Sequence, residues 1–134
     1  MKKTLSLLLL VVLVGCSRRN GVDISANGKQ GILYIEDSIQ TIGVVSKQIY
    51  QKKTCYFELK NTGKFPVTIQ DIDISCGCLS CDVPKQPIMP SKSIVLPITI
   101  NLNNQWGLFN KSIVIFSNAQ IPNKILRIKG QIIK

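Results

Sequence analysis

The sequence has 134 residues, of which 45% are hydrophobic and 18% charged, with few aromatics. That is the size and composition of one small folded domain, and it excludes both a second core and a disordered chain. The formal net charge is +10 and histidine is absent, which removes the commonest general base and the commonest metal ligand.

The chain opens on Met1-Lys2-Lys3, followed from Leu5 to Val14 by an apolar run broken only by Ser6. The run, about ten residues long, suits the core of an export signal and is too short to span a hydrocarbon layer of about 30 Å. It ends in Leu13-Val14-Gly15-Cys16, which resembles the lipobox of bacterial lipoproteins. A thiol is the group that can be alkylated to a diacylglyceryl thioether, and small residues before it admit the peptide bond to a lipoprotein signal peptidase. The expectation is a signal peptide over 1–15 and a mature chain that begins with acylated Cys16. More than one acyl chain anchors stably, because burial contributes about 0.8 kcal/mol per CH₂. Lys2 and Lys3 belong to the leader, so the mature chain carries about +8 before its amino terminus is acylated.

Residues 16–30 are polar, rich in Gly, Asn and Ser, and read as a flexible tether. Ser17 follows the lipid cysteine with no acidic run behind it, which places the anchor at the outer membrane facing the periplasm. The partner expected from this segment is a membrane, engaged through acyl chains on Cys16.

From Gly31 to Lys134 the hydrophobic period is two. Gly31–Glu36 and Ile42–Val45 are short β-rich runs. Thr54–Lys60 alternates, with Cys55, Phe57 and Leu59 on one face, and Asn61-Thr62-Gly63-Lys64 signals a turn. Val67–Ile69 and Ile72–Ile74 form the next strand segment, Asp71 and Asp73 marking its solvent face. Pro84, Pro87 and Pro90 make an extended loop, since proline cannot donate to a ladder. Ser93–Asn101, Gly107–Ser117 and Asn123–Ile133 resume the alternation. About seven short strands with hardly a helix start predict an all-β chain folded as a single Ig-like β-sandwich over 31–134.

Four cysteines remain after Cys16: Cys55, Cys76, Cys78 and Cys81. The last three combine C-x-C with C-x-x-C spacing, and an exported chain meets a compartment that favours disulfides. Three readings stand together. One or two structural bridges tie the loop to a neighbouring strand, with three possible full pairings. Alternatively, the C-x-x-C spacing marks a thiol-exchange site, for which Lys85 is the nearest cation in sequence. Finally, Cys76, Cys78 and Cys81 are candidate soft-metal ligands, although a second C-x-x-C or a histidine is missing. Cys55, on an apolar strand face, also reads as a free core thiol. Trp106, the single tryptophan, lies in the turn-like Asn103–Gly107 and either packs over the end of the core or forms an exposed partner contact.

The order Gly43-Val44-Val45, Phe57 to Gly63, Pro66 to Ile69, Ser75-Cys76-Gly77-Cys78, Pro84 to Pro90, Gly107 to Lys111, Val114 to Asn118 and Ile128-Lys129-Gly130 resembles the bacterial envelope domain called domain of unknown function 1573, frequent in the Bacteroidetes. The resemblance covers roughly Ile42 to Ile133. It implies an Ig-like sandwich, often carried on lipoproteins, and no established activity. Ser91-Lys92 stands where the family usually has a Gly and an acidic residue after the proline, and Cys55 and Cys81 exceed its usual cysteine pair.

The sequence holds no Gly-x-Ser-x-Gly and no phosphate loop, and its lysines are scattered rather than blocked. The expectation is therefore a non-enzymatic envelope lipoprotein that binds another envelope protein or polymer, with no cofactor and no nucleic acid. The alternative is a thiol-dependent lipoprotein acting through the Cys76/Cys78/Cys81 cluster.

Overall fold

A computed structural model describes residues 29–134, so Cys16, the expected signal peptide over 1–15 and most of the expected tether over 16–30 lie outside the described residues. The described chain is all-β, with eight strands: β1 (Leu33–Tyr34), β2 (Ile39–Ser46), β3 (Lys52–Asn61), β4 (Ile69–Ile74), β5 (Leu79–Ser80), β6 (Ser93–Asn101), β7 (Gly107–Ser117) and β8 (Asn123–Ile133).

The alternation read from the sequence sets which side chains face inward. In β3, Cys55, Phe57, Leu59 and Asn61 are buried while Tyr56, Glu58 and Lys60 face water. In β6, Leu96, Ile98 and Ile100 face the same interior, and Ile113 and Ile115 of β7 with Leu126 and Ile128 of β8 close it from the other side. Each such fully buried side chain contributes on the order of 1.5–3 kcal/mol. Asp71 and Asp73 are exposed, as their alternation with Ile72 predicts.

The strands form two four-stranded sheets, in the orders β1-β3-β6-β5 and β2-β8-β7-β4. This is the immunoglobulin constant-type arrangement, with A, B, E and D in one sheet and C, F and G in the other. Its first strand is shared between the sheets: β1 pairs antiparallel with β3, and β2 crosses over to pair parallel with β8. The sequence shows two β-rich runs here but not the change of sheet. The one described strand beyond the expected seven is β5, a two-residue segment inside the cysteine cluster that is too short to show a period.

Two motifs distant in sequence meet where β2 joins β8. The register slips between Thr41 and Val44, and Gly43 takes up the slip with a φ of 67°, which glycine adopts without the Cβ penalty. Gly130 lies opposite. A methyl group built on it would strike the Ile42 side chain and come within 2.8 Å of the Gly43 carbonyl oxygen.

The topology gives the sandwich two distinct ends. The chain enters at the N-terminal end, where the Gly31 carbonyl accepts from the Gln120 amide at 2.9 Å and the Ile32 carbonyl accepts from the Thr62 amide at 2.9 Å. The far end is built from the β2–β3 turn, the β4–β5 turn with Cys76 and Cys78, the β6–β7 turn with Trp106, and Lys134. Backbone bonds tie these parts together: Lys47 donates to Ile133 at 3.1 Å, Leu102 to Gln51 at 2.9 Å, and Asn101 to Cys78 at 2.8 Å. The ten residues of β3 separate the two ends by roughly 33 Å, at about 3.3 Å per residue.

Candidate functional site at the far end of the sandwich

Cys76 and Cys78 form a disulfide across a sequence separation of two, with their Cα atoms 5.2 Å apart. Gly77 between them is exposed, and no heavy atom lies within 4 Å of where its Cβ would be, so the bridge caps an open turn. The turn is fixed by the Leu79 amide donating to the Cys76 carbonyl at 3.2 Å. The Cys78 amide donates to Cys76 Sγ at 3.3 Å.

This pairing corrects the expectation that bridges tie the loop to a neighbouring strand. Cys55 and Cys81 are free. Cys55 pairs with Ile98 across β3 and β6. The β5–β6 register, Leu79 with Ile100 and Ser80 with Thr99, carries Cys81 to the other side of the same Ile98. Two strand spacings of about 4.8 Å each exceed the separation a disulfide can span. The C-x-x-C reading of Cys78 and Cys81 is corrected as well. The two extended residues of β5 between them hold these two about 10 Å apart, at about 3.3 Å for each of three steps, whereas Gly77 folds Cys76 back onto Cys78.

The two free thiols are chemically quiet. Burial pushes the Cys55 thiol above its ordinary value, offset in part by the charge of Lys53. Cys81 is pushed the same way by burial and then by the neighbouring Asp82 carboxylate. A thiol held protonated is a poor nucleophile and a poor metal ligand. Cys76 and Cys78 offer no thiolate while bridged, and among the described residues no three His, Cys, Asp or Glu side chains converge on one point.

The cation near the bridge is Lys52 rather than Lys85. Lys52 pairs with Asn101 in the β3–β6 ladder, and Asn101 bonds in turn to Cys78, so the three stand in one row across the sheet. Lys52, Asn101, Gly77 and Cys78 line a shallow depression. A second one, bounded by Asn104 and Gln105, opens on the other side of the same cysteine. Lys85 lines a separate hollow with Pro84 and Pro97. Sequence distance misled here because strand pairing, not chain proximity, sets neighbours in a sheet.

Trp106 follows Gln105 and is 63% exposed, which corrects the reading of a ring packed over the core. The Nζ atoms of Lys47 and Lys134 lie 5.7 and 5.9 Å from its ring centroid, within the range of cation–π attraction. Val44, Gln131 and Leu108 form one outward row across β2, β8 and β7, and Leu108 is 89% exposed. Ile49 and Tyr50 of the β2–β3 turn are exposed too. The far end therefore presents aromatic and aliphatic groups among lysines. The pattern was invisible in the sequence, since its members come from three separate segments.

The sequence matches the model of a protein family of unknown function, DUF1573, over residues 23–132. The chain belongs to this family. Among solved structures, the fold is similar to the crystal structure of a protein of unknown function from Porphyromonas gingivalis W83, with a TM-score of 0.68 and 19% identity over 84% of this chain and 51% of that one. It is also similar to part of the VesB protease of Vibrio cholerae, with a TM-score of 0.56 and 12% identity over 78% of this chain and 32% of that one. The secreted serine protease VesC of the same organism gives a TM-score of 0.56 at 10% identity, over 75% of this chain and 23% of that one. The chain thus spans about half of the Porphyromonas protein and a third or less of the proteases, and at these identities the likeness is one of fold alone. No curated protein sequence matches the chain.

Proposed function

We propose that this DUF1573 member is an envelope lipoprotein, cleaved before Cys16, acylated there, and held at a membrane on its extracytoplasmic side. Its sandwich acts as a binding module toward another envelope component, without hydrolytic or group-transfer chemistry of its own. The observation that carries the reading is the placement of the two ends. The chain leaves the tether at the N-terminal end, while Trp106, with Lys47 and Lys134, stands exposed at the opposite end. A module anchored through residues 16–30 would hold that end about 30 Å farther from the lipid than its point of attachment. Exposed aromatics with a basic rim are the composition of a contact surface. The lysines there favour a partner carrying carboxylate or phosphate groups.

Intact-mass analysis of the native product tests the anchor. The expected result is a chain that starts at Cys16 and carries the mass of its acyl groups, with Cys16→Ser abolishing both. A product that retains Met1 and bears no fatty acid overturns the anchor. A photo-crosslinking residue at position 106, compared with one at position 120 in intact cells, tests the binding end. A discrete adduct from position 106 alone is expected, and equal labelling from both positions overturns it.

A further inference from the structure

We propose that the Cys76–Cys78 bridge is a thiol–disulfide exchange site that accepts electrons from the cysteines of other polypeptides. The inference uses the extracytoplasmic placement above only to supply the compartment; the chemistry stands on the bridge itself.

Four observations carry it. First, the bridge joins residues separated by two positions, so it constrains little chain; Cys76 is half-buried, and Cys78, 9% exposed at the edge of the core, is reached from the shallow depressions it lines. Second, Cys76 Sγ already accepts the Cys78 amide at 3.3 Å. A donor on that sulfur stabilises the thiolate that forms when the bridge opens, which makes Cys76 the better leaving group. Third, Lys52 stands in the row that ends at Cys78 and lines the depression beside it, where its charge attracts an incoming thiolate. Fourth, the exposed Trp106 adjoins Gln105, which lines the depression on the other side of Cys78. An extended polypeptide with apolar side chains has a surface to rest on beside the reacting sulfur. Cys55, buried, and Cys81, half-buried, both have their thiols pushed toward the protonated form and do not compete.

The steps balance with thiol and disulfide alone. A substrate thiolate attacks Cys78 Sγ; the new bond is the mixed disulfide, the bond that breaks is Cys76–Cys78, and the electron pair leaves on Cys76, held by the Cys78 amide. A second thiolate of the substrate attacks the substrate sulfur of the mixed disulfide and expels Cys78. The substrate ends with a disulfide, Cys76 and Cys78 end as two thiols, and the protons lost by the substrate are those gained by the pair. Exchange with an oxidised dithiol protein of the envelope, by the same steps reversed, restores the bridge.

The test uses the full chain purified in detergent, equilibrated in glutathione buffers of graded ratio, quenched by alkylation and weighed. The bridge is expected to open and reclose within minutes, while Cys55 and Cys81 remain free of glutathione. A reduced synthetic peptide with two cysteines should be oxidised in a one-to-one ratio with the chain. Cys76→Ser or Cys78→Ser should slow that oxidation at least about tenfold, and Cys81→Ser should leave it unchanged. The proposal is overturned if the bridge stays closed in excess reduced glutathione while the chain is folded. It is also overturned if the purified oxidised chain shows four free thiols, or if the doubly substituted chain oxidises the peptide at the original rate. The glutathione titration needs no substitution, so a variant that fails to fold does not obscure the result. Acyl mass on Cys16 is read separately, so failure of the anchor and failure of exchange are distinct outcomes.

Discussion

The side-chain amide of Asn61 donates to the carbonyl of Ile88 at 2.8 Å, across a separation of twenty-seven residues. The same Nδ2 donates to Phe65 at 2.7 Å, and Oδ1 accepts from the Gly63 amide at 2.9 Å. Its backbone completes the junction, donating to Lys92 and accepting from Ser91, both at 2.9 Å. Asn61 is wholly buried, so it acts as an internal clamp on the turn after β3 and on the proline loop.

Removing that amide leaves the Phe65 carbonyl and the Gly63 and Ile32 N–H groups without their partner, each costing about 1–3 kcal/mol where it stays dry, while the Ile88 carbonyl keeps the Val67 amide at 3.0 Å. Asn61→Ala is expected to lower stability by roughly 3 kcal/mol, read as a fall in the urea midpoint at unchanged slope. A loss below about 0.5 kcal/mol would mean that water replaces the clamp.

The contact between Gly43 and Gly130 gives a second expectation. Gly130→Ala pushes a methyl into Ile42 and toward the Gly43 carbonyl, and overpacking of this kind costs about 1–3 kcal/mol. The damage should concentrate at the β2–β8 pairing, so hydrogen exchange should rise first at the amides of Val45 and Lys47, which face β8. Uniform loss of protection across both sheets would contradict this.

These two junctions show what the sequence disclosed and what it withheld. The strands were legible because burial alternates with period two through Phe57, Leu59, Leu96, Ile98 and Ile100, and one face of each must be dry. Asn61-Thr62-Gly63 was legible as a turn, but the burial of Asn61 was not, since its partners Phe65 and Ile88 are peptide carbonyls that leave no mark on residue type. The tip had the same limit. Lys47, Trp106, Leu108 and Lys134 are brought together by strand order, which a pattern of alternation does not specify. The cysteine spacing suggested C-x-x-C because two residues between thiols suit a turn or a helix, and the two-residue strand β5 was too short to reveal that this segment is extended.

Cys55 makes stability sensitive to alkali. Its folded-state pKa is raised by burial, so its contribution is complete below the ordinary thiol value, near 8.5. As pH rises past that value, the unfolded chain releases a proton that the folded chain retains, and stability falls. Cys81 acts in the same direction. The expected result is a declining unfolding free energy between about pH 8 and 9.5, below the range of tyrosine and lysine titration, with a flatter slope in Cys55→Ala. An identical slope in Cys55→Ala/Cys81→Ser would remove these thiols as the cause.

Trp106 separates binding from folding. Its ring is mostly exposed, so Trp106→Ala should change stability by no more than about 0.5 kcal/mol, while reducing capture of a partner at the far end. Chemical denaturation and quantitative crosslinking on the same preparation check the two halves. A large loss of stability would mean that the ring supports the fold.

Ser91 is the non-glycine residue with a left-handed backbone among those described, at φ 62°. It follows Pro90 in the turn that the Lys92 amide closes by donating to the Met89 carbonyl at 3.0 Å. Proline at the second position and positive φ at the third describe a type II turn, whose third position favours glycine. This is the place where the family resemblance leads one to expect glycine, and the backbone supplies the reason. An L-residue held there carries about 1–2 kcal/mol of strain, against which glycine adds entropy to the unfolded chain. Ser91→Gly should therefore raise stability by about 0.5–1 kcal/mol, seen as a higher thermal midpoint, whereas Ser91→Val should lower it, because a β-branched side chain tolerates this backbone least. If Gly and Val shift the midpoint equally, the turn is not strained and the preference for glycine has another origin.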